Sequence, residues 1–515
     1  MGGDKKVKTE IVPFKRVLIA NRGEIAVRII HSLRQLNIAV VALASEADLT
    51  AMHVRLSDEY VHIGAAPAIE SYLDIDKVIA AAKSTNCCAI HPGYGFLAEN
   101  AAFAQRCQDE GIVFIGPSAQ SIIDMGDKSR ARDIAVTADV PVVPGRNDVS
   151  SDDLESAAKE VGRPLLLKPS AGGGGKGMVV VNDGEDVVEA AVAARRVALS
   201  SFGDDRLIVE RFVHPARHVE IQVFADSYGN AVALGERECS LQRRHQKVIE
   251  ECPSPVLKQD VRTKMEEASL SLVRKVGYVG AGTVEFLLGP DDQFYFLEMN
   301  TRLQVEHPVT EMVYGVDIVA AQIAVAEGGL LPDSMMNAKP RGHAIEVRIY
   351  AEDPDNGFLP TPGHVHDLRA PFMPDVRFDA ALDGPGEVSV EYDPMIAKLT
   401  AWGATREAAR RKIIAALSNT AILGIKTNTG LLSRLCKAPW FGTGDFHTAT
   451  LDEMMGDSNE LIVSEEIPVE VLAAMAYAFL APRRGGGGDV VPSNSDADCY
   501  SPFAEAGHWR LLEGE

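Results

Sequence analysis

The sequence predicts an N-terminal α/β unit with a doubly wound parallel sheet, followed by α+β units built on antiparallel strands. Three observations carry this: strand-sized apolar runs alternate with helix-spaced ones over residues 17–115, paired runs flank turn residues farther on, and the length exceeds what one core supports. Val17-Leu18-Ile19-Ala20 is a short strand, Asn21-Arg22-Gly23 a loop, and Ile25, Ile29, Leu33 and Leu36 recur at helical spacing. Ile38–Leu43 is a second buried strand, which makes a β-α-β start. Helices at Ile75–Lys83 and Ala101–Glu110, with strands at Cys88–Ile90 and Ile112–Ile115, continue the alternation. In such sheets ligand loops lie at the strand carboxyl ends.

A second unit opens near Gly126-Asp127-Lys128. An acidic helix, Asp152–Val161, precedes Leu165–Lys168 and the glycine run Gly172–Gly175. Leu207–Val213, His218–Phe224 and Ala231–Gly235 are antiparallel strands, Val284–Leu288 and Gln293–Glu298 form a hairpin around Gly289–Asp292, and a helix over Gly315–Gly328 ends the unit. The third unit, from Gly342 to Met455, has strands at Ile345–Tyr350, Val365–Leu368 and Ile396–Trp402 and a helix at Arg406–Leu417. Pro468–Leu480 is helix-like, and the glycine run Gly485–Gly488 is a flexible linker, since no strand feeds it.

A formal net charge of -22 repels the phosphate backbone of nucleic acid, so a polymeric anion is excluded as partner, while a small anion held by a few converging cations is not. Seven cysteines with no CxxC pair fit a reducing compartment. The apolar stretches are strand-sized and interrupted by charge, and Met1–Lys8 is polar, so neither a membrane span nor secretion is expected; the cytoplasm or the mitochondrial matrix suits the composition.

Three segments carry chemistry. Lys168 followed by Gly172–Gly175, Lys176 and Gly177 lets backbone N–H groups converge on phosphate oxygens, which suits a nucleoside triphosphate; a plain mobile loop fits the glycines equally well. Glu285, Glu298, Asn300, Arg302, Gln304 and Glu306 supply oxygen ligands for Mg²⁺ and an anion-binding fork, all facing one cleft if residues 298–306 stay extended. Glu238–Lys247, followed by Glu250 and Glu251, is a dense polar run, and a solvated, charge-paired loop is the expectation for each of its residues taken singly.

Together these residues resemble biotin carboxylase from Arg16 to about Met455. The likeness is carried by Leu18–Ile25 (LIANRGEI), His91–Asn100 (HPGYGFLAEN), Met125–Lys128 (MGDK), Lys168–Met178, Cys239–Lys247 and Glu298–Pro308 (EMNTRLQVEHP). It implies a Rossmann-like N-terminal domain over 1–126, an ATP-grasp domain over 127–341 with a mobile glycine-rich lid at about 142–213, a C-terminal biotin carboxylase domain over 342–457, and a helix, linker and start of a connecting segment over 458–515. It also implies the reaction: ATP phosphorylates bicarbonate to carboxyphosphate, and the CO₂ released is captured by N1′ of carrier-bound biotin.

Carried over residue by residue, Lys128, Lys168, Gly174, Gly175, Glu210, Arg211, Val213, His218, Gln242 and His245 match ATP contacts. Glu285, Glu298 and Asn300 match ligands of Mg²⁺ or Mn²⁺, the two carboxylates also counting toward the ATP site. Lys247, Arg302, Gln304 and Val305 match bicarbonate positions, Glu306 the general base, and Arg348 the residue that stabilises the biotin enolate. Pro169 and Ala171 depart from the family's more usual Ala and Gly in the lid, and Pro169 removes a backbone donor. No Met-Lys-Met sequence is present, so biotin is expected on another polypeptide or a missing C-terminal part. The implied partners are a biotin carboxyl carrier domain, a carboxyltransferase β-subunit and a second copy of the chain.

Ser501-Pro502-Phe503 and Trp509-Arg510-Leu511 are similar to the connecting segment of acyl-CoA carboxylase α-subunits, methylcrotonyl-CoA carboxylase above all, with propionyl-CoA and acetyl-CoA as further acceptors. Two alternatives stand beside this. Another ATP-grasp ligase shares the lid and the metal carboxylates but not Arg348 with the His91 segment; a non-catalytic ATP-binding subunit would lack a base or a metal ligand, and here Glu285, Glu298, Arg302 and Glu306 are all present.

Overall fold

Five parallel strands open the chain: β1 (Arg16–Ile19), β2 (Ala39–Ser45), β3 (Glu59–Gly64), β4 (Ala89–His91) and β5 (Val113–Phe114), in the order β3-β2-β1-β4-β5. The computed structural model describes residues 11–171, 175–244 and 246–457. Strand order reverses between β1 and β4, which is where an open α/β sheet leaves a crevice at its carboxyl edge. The loops after these two strands are the Asn21 and His91 motifs, and they are tied together: Asn21 Nδ2 donates to the carbonyls of Pro92 and Tyr94 at 2.8 and 2.7 Å. Gly93 takes a positive φ of 64°, and a Cβ there would meet Asn21 Nδ2 at 3.0 Å, so the motif needs glycine at this position.

Next come four strands in a separate antiparallel sheet, β6 (Gly145–Arg146), β7 (Leu165–Pro169), β8 (Val179–Val181) and β9 (Leu207–Arg211), ordered β6-β9-β7-β8. Helices Leu154–Val161 and Val187–Phe202 cover it, and Leu154, Ala157, Leu165, Leu167, Val181, Ala191, Leu207 and Val209 make a core of their own. Val187–Phe202 starts on an Asp186 cap and ends on Gly203 in the left-handed conformation, the usual device for closing a helix. Alternate residues of β7 are apolar and buried, while the same strand brings Lys168 to the edge of the cleft.

The largest sheet has eight antiparallel strands: β10 (Arg217–Ala225), β11 (Ala231–Arg243), β12 (Gln246–Cys252), β13 (Gly280–Leu288), β14 (Phe294–Asn300), β15 (His343–Tyr350), β16 (Val376–Ala380) and β17 (Met395–Gly403). Their order is β14-β13-β10-β11-β12-β15-β17-β16, so the strands after residue 342 extend the sheet begun by those before it. Val219, Ile221, Val223, Val284 and Phe286 pack one face against the helix Gln259–Lys275, and burying each such side chain stabilises by about 1.5–3 kcal/mol. The opposite face of β10, β11 and β13 is polar and faces the site.

Three sequence expectations change here. The polar run Glu238–Lys247 is a hairpin, not a solvated loop: Glu238–Arg243 lie on β11, Gln246 and Lys247 on β12, and Glu238, Cys239, Ser240 and Gln242 are buried. The stretch 298–306 does not stay extended. β14 stops at Asn300, and Glu306 caps a helix, His307–Tyr314, with Pro308 in its first turn, where a missing N–H costs nothing. The expected helix over Gly315–Gly328 is likewise shorter, Ile318–Ala326, and is separated from its predecessor by Gly315 in the left-handed conformation. Helices Ala119–Gly126, Lys128–Thr137, Val187–Phe202 and Gln259–Lys275 stand in segments for which periodicity had given no element. Among the described residues no single helix is long and apolar enough to cross a membrane. Gly172–Gly174, His245 and the expected helix and linker after residue 457 lie outside the described residues.

Candidate active site

A cavity of about 930 Å³ lies between the N-terminal loops, the four-stranded sheet and the polar face of the large sheet. Of the residues singled out from the sequence, Lys128, Lys168, Gly175, Glu210, Arg211, Val213, His218, Gln242, Lys247, Glu285, Glu298, Asn300, Arg302, Gln304, Val305 and Arg348 line it. Gly174 and His245 are outside the described residues. Glu306 is fully buried beneath the lining and is reached through Lys247 and Arg348.

Antiparallel register explains how the charges converge. Glu298 on β14 is the direct partner of Glu285 on β13, Glu285 of Glu220 on β10, and Glu220 of Arg237 on β11. Directly opposed side chains share a face, so three carboxylates stand in a row, an arrangement that costs energy unless cations sit among them. Arg237 closes one end, its Nε and guanidinium bonded to Glu220, Gln222, Thr283 and Thr310. Lys247 Nζ sits in the middle, 2.6 Å from Glu220, 3.0 Å from Glu285 and 2.6 Å from Glu306. Burial works against its charge, and these three carboxylates outweigh it, holding the ammonium well above the ordinary lysine range.

Glu285 is the most densely bonded carboxylate. It accepts from Asn300 at 2.8 Å and Gln304 at 3.1 Å, and lies 3.0 Å from His218 Nε2. Burial raises its pKa, but Lys247 and His218 reverse the sign and keep it well below the usual carboxylate range. Glu298 faces Lys128 at 2.8 Å, and Lys168 faces Glu210 at 2.8 Å. Glu285 and Glu298 are cross-strand partners, and with Asn300 they bring carboxylate and amide oxygens to the cavity wall, a donor set that fits a divalent cation taking few protein carboxylates.

Arg302 leaves β14 just past its end. Its Nε donates to Glu99 at 2.8 Å and its terminal nitrogens to Gln304 at 3.0 Å and Asn300 at 3.1 Å, so the loop, and not a continued strand, aims the guanidinium. Burial lowers and Glu99 raises its pKa, with the carboxylate prevailing. Glu306, at the helix start, accepts from Lys247 and, at 3.0 Å, from Arg348. Burial would protonate it; Lys247, Arg348 and Arg237 override burial and keep it ionised, as a proton acceptor must be. Arg348 on β15 is bracketed by Glu306 and by Glu250 at 2.5 Å.

Three segments match family models. Residues 13–122 match the biotin carboxylase N-terminal domain, 127–334 the carbamoyl-phosphate synthase L chain ATP binding domain, and 346–453 the biotin carboxylase C-terminal domain. The chain is 46% identical to biotin carboxylase of Nostoc sp. over 86% of its own length and 99% of that relative. This chain belongs to the biotin carboxylase family.

Two further relatives are mitochondrial methylcrotonoyl-CoA carboxylase alpha subunits. That of Dictyostelium discoideum is 45% identical over 98% of this chain and 71% of the relative; that of Rattus norvegicus is 49% identical over 84% and 61%. The chain therefore spans about two thirds of these subunits. The biotin carboxylase domain dimer of Hydrogenobacter thermophilus 2-oxoglutarate carboxylase, solved with MgADP, ADP and bicarbonate, superposes with a TM-score of 0.85 at 41% identity, covering 88% of this chain and 100% of that one. The biotin carboxylase β-γ-ATP complex from Campylobacter jejuni gives 0.83 at 42% identity, covering 85% and 99%.

Sequence reasoning about this biotin carboxylase missed several charged groups that its site uses. Glu99 lies inside the HPGYGFLAEN motif yet had been given no role, although it anchors Arg302. Glu220 is readable only as a strand residue, and Arg237 falls between the strand expected at Ala231–Gly235 and the polar run from Glu238; the alternation His218, Glu220, Gln222 is the signal, since it puts polar groups on one face of an otherwise apolar strand. Glu250, Glu346 and Lys398, all buried, came from strands whose partners the sequence alone does not pair.

Proposed function

We propose that this chain carries out ATP- and bicarbonate-dependent carboxylation of biotin on a carrier, the first half-reaction of an acyl-CoA carboxylase. The observation that carries it is Glu306, ionised and held between Lys247 and Arg348 under the same cavity that Lys128, Lys168 and Arg302 line.

In this reading Lys128 and Lys168 exchange their carboxylate partners for phosphate oxygens, with Glu210, Arg211, Val213, His218, Gln242, Gly175 and the undescribed Gly174 and His245 around the nucleotide. Glu285, Glu298 and Asn300 would hold Mg²⁺, which when bound offsets triphosphate charge. Arg302, Gln304, Val305 and Lys247 seat bicarbonate. Glu306 takes the bicarbonate proton as its oxygen attacks the γ-phosphorus and ADP leaves. Carboxyphosphate then gives CO₂ and phosphate, the phosphate takes the proton of biotin N1′ as N1′ bonds to the carbon, and Arg348 balances the charge on the ureido oxygen.

The division at 126 and 341, with the lid at 142–213, belongs to this reading, as do a biotin carrier, a carboxyltransferase β-subunit, a dimer and the mitochondrial matrix; relatives that bear the mitochondrial name and a dimeric relative support the last two. The acyl acceptor is 3-methylcrotonyl-CoA, on the names of the relatives aligned over most of the chain, with propionyl-CoA second, since a propionyl-CoA carboxylase alpha chain of Ruegeria pomeroyi is 45% identical.

The test is ADP release by the purified chain with bicarbonate and free biotin. Release that needs both supports the reading; release that ignores biotin but follows another amine moves the chain to a different ligase. Copurification of a carboxyltransferase, assayed with each acyl-CoA, decides the acceptor.

A further inference from the structure

Behind Arg348 the large sheet carries a second pair of opposed acids. Glu250 on β12 and Glu346 on β15 are direct register partners, fully buried on one face of an antiparallel ladder. Each spends one oxygen: Glu250 Oε1 on Arg348 Nε at 2.5 Å, Glu346 Oε2 on the Thr400 hydroxyl at 2.6 Å. Each leaves the other oxygen, Glu250 Oε2 and Glu346 Oε1, buried without a hydrogen-bond partner. Two orphaned acceptors on opposed residues call for a donor, and a proton held between the two carboxyls supplies one.

We propose that Glu250 and Glu346 share a single proton as a carboxyl–carboxylate pair, and that this pair is the positioning device that holds the Arg348 guanidinium poised between Glu250 and Glu306. The proposal rests on the role given to Arg348 above.

The surroundings agree. Burial is the main influence on both acids; it pushes Glu250 up to about 7 against the pull of Arg348, and Glu346 up to about 8 against that of Lys398. The charged and titratable groups that act on the pair are Lys247 on β12, Arg348 on β15, Lys398 on β17, Cys239 on β11 and Glu306 at the head of the helix. Lys398 is already shared with Glu24 and with the carbonyl of Val305, so it does not neutralise Glu346 outright. With one proton in the pair, Glu250 carries part of a charge and Arg348 divides its hydrogen bonds between Glu250 and Glu306. Loss of that proton puts two full charges behind Arg348 and draws it away from the cavity, which weakens the biotin step and leaves the nucleotide step alone.

The experiment uses the full chain with Glu346→Gln and Glu346→Ala. In wild type, infrared spectra near neutral pH contain a buried protonated-carboxyl band that Glu346→Gln removes. The glutamine amide donates to Glu250 without titrating, so the alkaline limb of kcat/KM for biotin moves up by about one pH unit. Glu346→Ala lowers kcat/KM for biotin about tenfold with KM for ATP unchanged, and Gln rescues it relative to Ala. An unchanged band and an unchanged limb in Glu346→Gln overturn the proposal, as does an equal effect of Glu346→Ala on biotin and ATP parameters. A wild-type chain that shows the band but no biotin-dependent ADP release overturns the positioning role through the functional reading, while the shared proton stands.

Discussion

The two ends of the cavity hold their charges differently. At the end nearest the four-stranded sheet, Lys128 faces Glu298 and Lys168 faces Glu210, each at 2.8 Å, with Arg132 at 3.8 Å from Glu210 as well. At the deep end Lys247 touches three carboxylates, Arg348 two, and Glu306 accepts from both cations. Glu298 is 27% exposed, so Lys128 exchanges it for a phosphate oxygen at small cost. A network of buried charges does not exchange this way, because removing one member leaves the others uncompensated in low dielectric. The nucleotide end is thus built to swap partners, and the carbon end to keep its geometry before any substrate arrives.

The sharpest way to break this contrast is at Glu306. Glu306→Gln keeps size and removes the base, and is expected to lower kcat for biotin-dependent ADP release by ~10²–10⁴-fold; a loss below tenfold would assign the base elsewhere. Lys247→Met tests the network itself. It leaves Glu220, Glu285 and Glu306 without their shared cation, so it should cost about 3–5 kcal/mol in denaturant unfolding, while Lys128→Met at the other end costs far less. Equal costs would erase the distinction. Arg302→Ala should lower kcat by about 10²-fold with little change in KM for ATP, since Arg302 bonds to Glu99, Asn300 and Gln304 and to none of the residues around Lys168. Lys168→Ala should do the reverse, raising KM for ATP by about tenfold with a smaller effect on kcat.

A smaller effect belongs to pH. Burial pushes Glu250 up to about 7 and Glu346 up to about 8, above their ordinary 4.5. The stability contributed by their protonated forms is therefore complete below about pH 4.5 and lost as pH rises through the folded values. Melting temperature should fall between pH 6 and 9, in a range set by these values, and fall less in Glu346→Gln.

Much of the frame is legible in the sequence. The LIANRGEI and HPGYGFLAEN loops were read as following strands of a parallel sheet, and they flank its crevice; the hairpin around Gly289–Asp292 was read from its turn residues, and β13 and β14 form it. The site failed to be legible where a pattern meant for apolar burial met buried charge. Glu238–Gln242 looks like a solvated loop because its buried face is polar and partnered from elsewhere in the fold, as Glu238 is by the Arg217 guanidinium and the Ser254 hydroxyl. The run after Asn300 alternates like a strand, but Pro308 favours a helix start and the chain turns into Glu306 as its cap. Cross-strand partners such as Glu250 and Glu346 are ninety-six positions apart in sequence, and only register brings them together.

The continuity of the eight-stranded sheet across residue 342 has a practical consequence. β15, β17 and β16 hang on β12 by backbone hydrogen bonds, and β15 donates Arg348 to a site whose base sits upstream of the join. A chain cut at that join would expose an open sheet edge on both fragments and split one reaction centre between them, so the third family segment should be inherited, expressed and engineered as an inseparable piece of its neighbour.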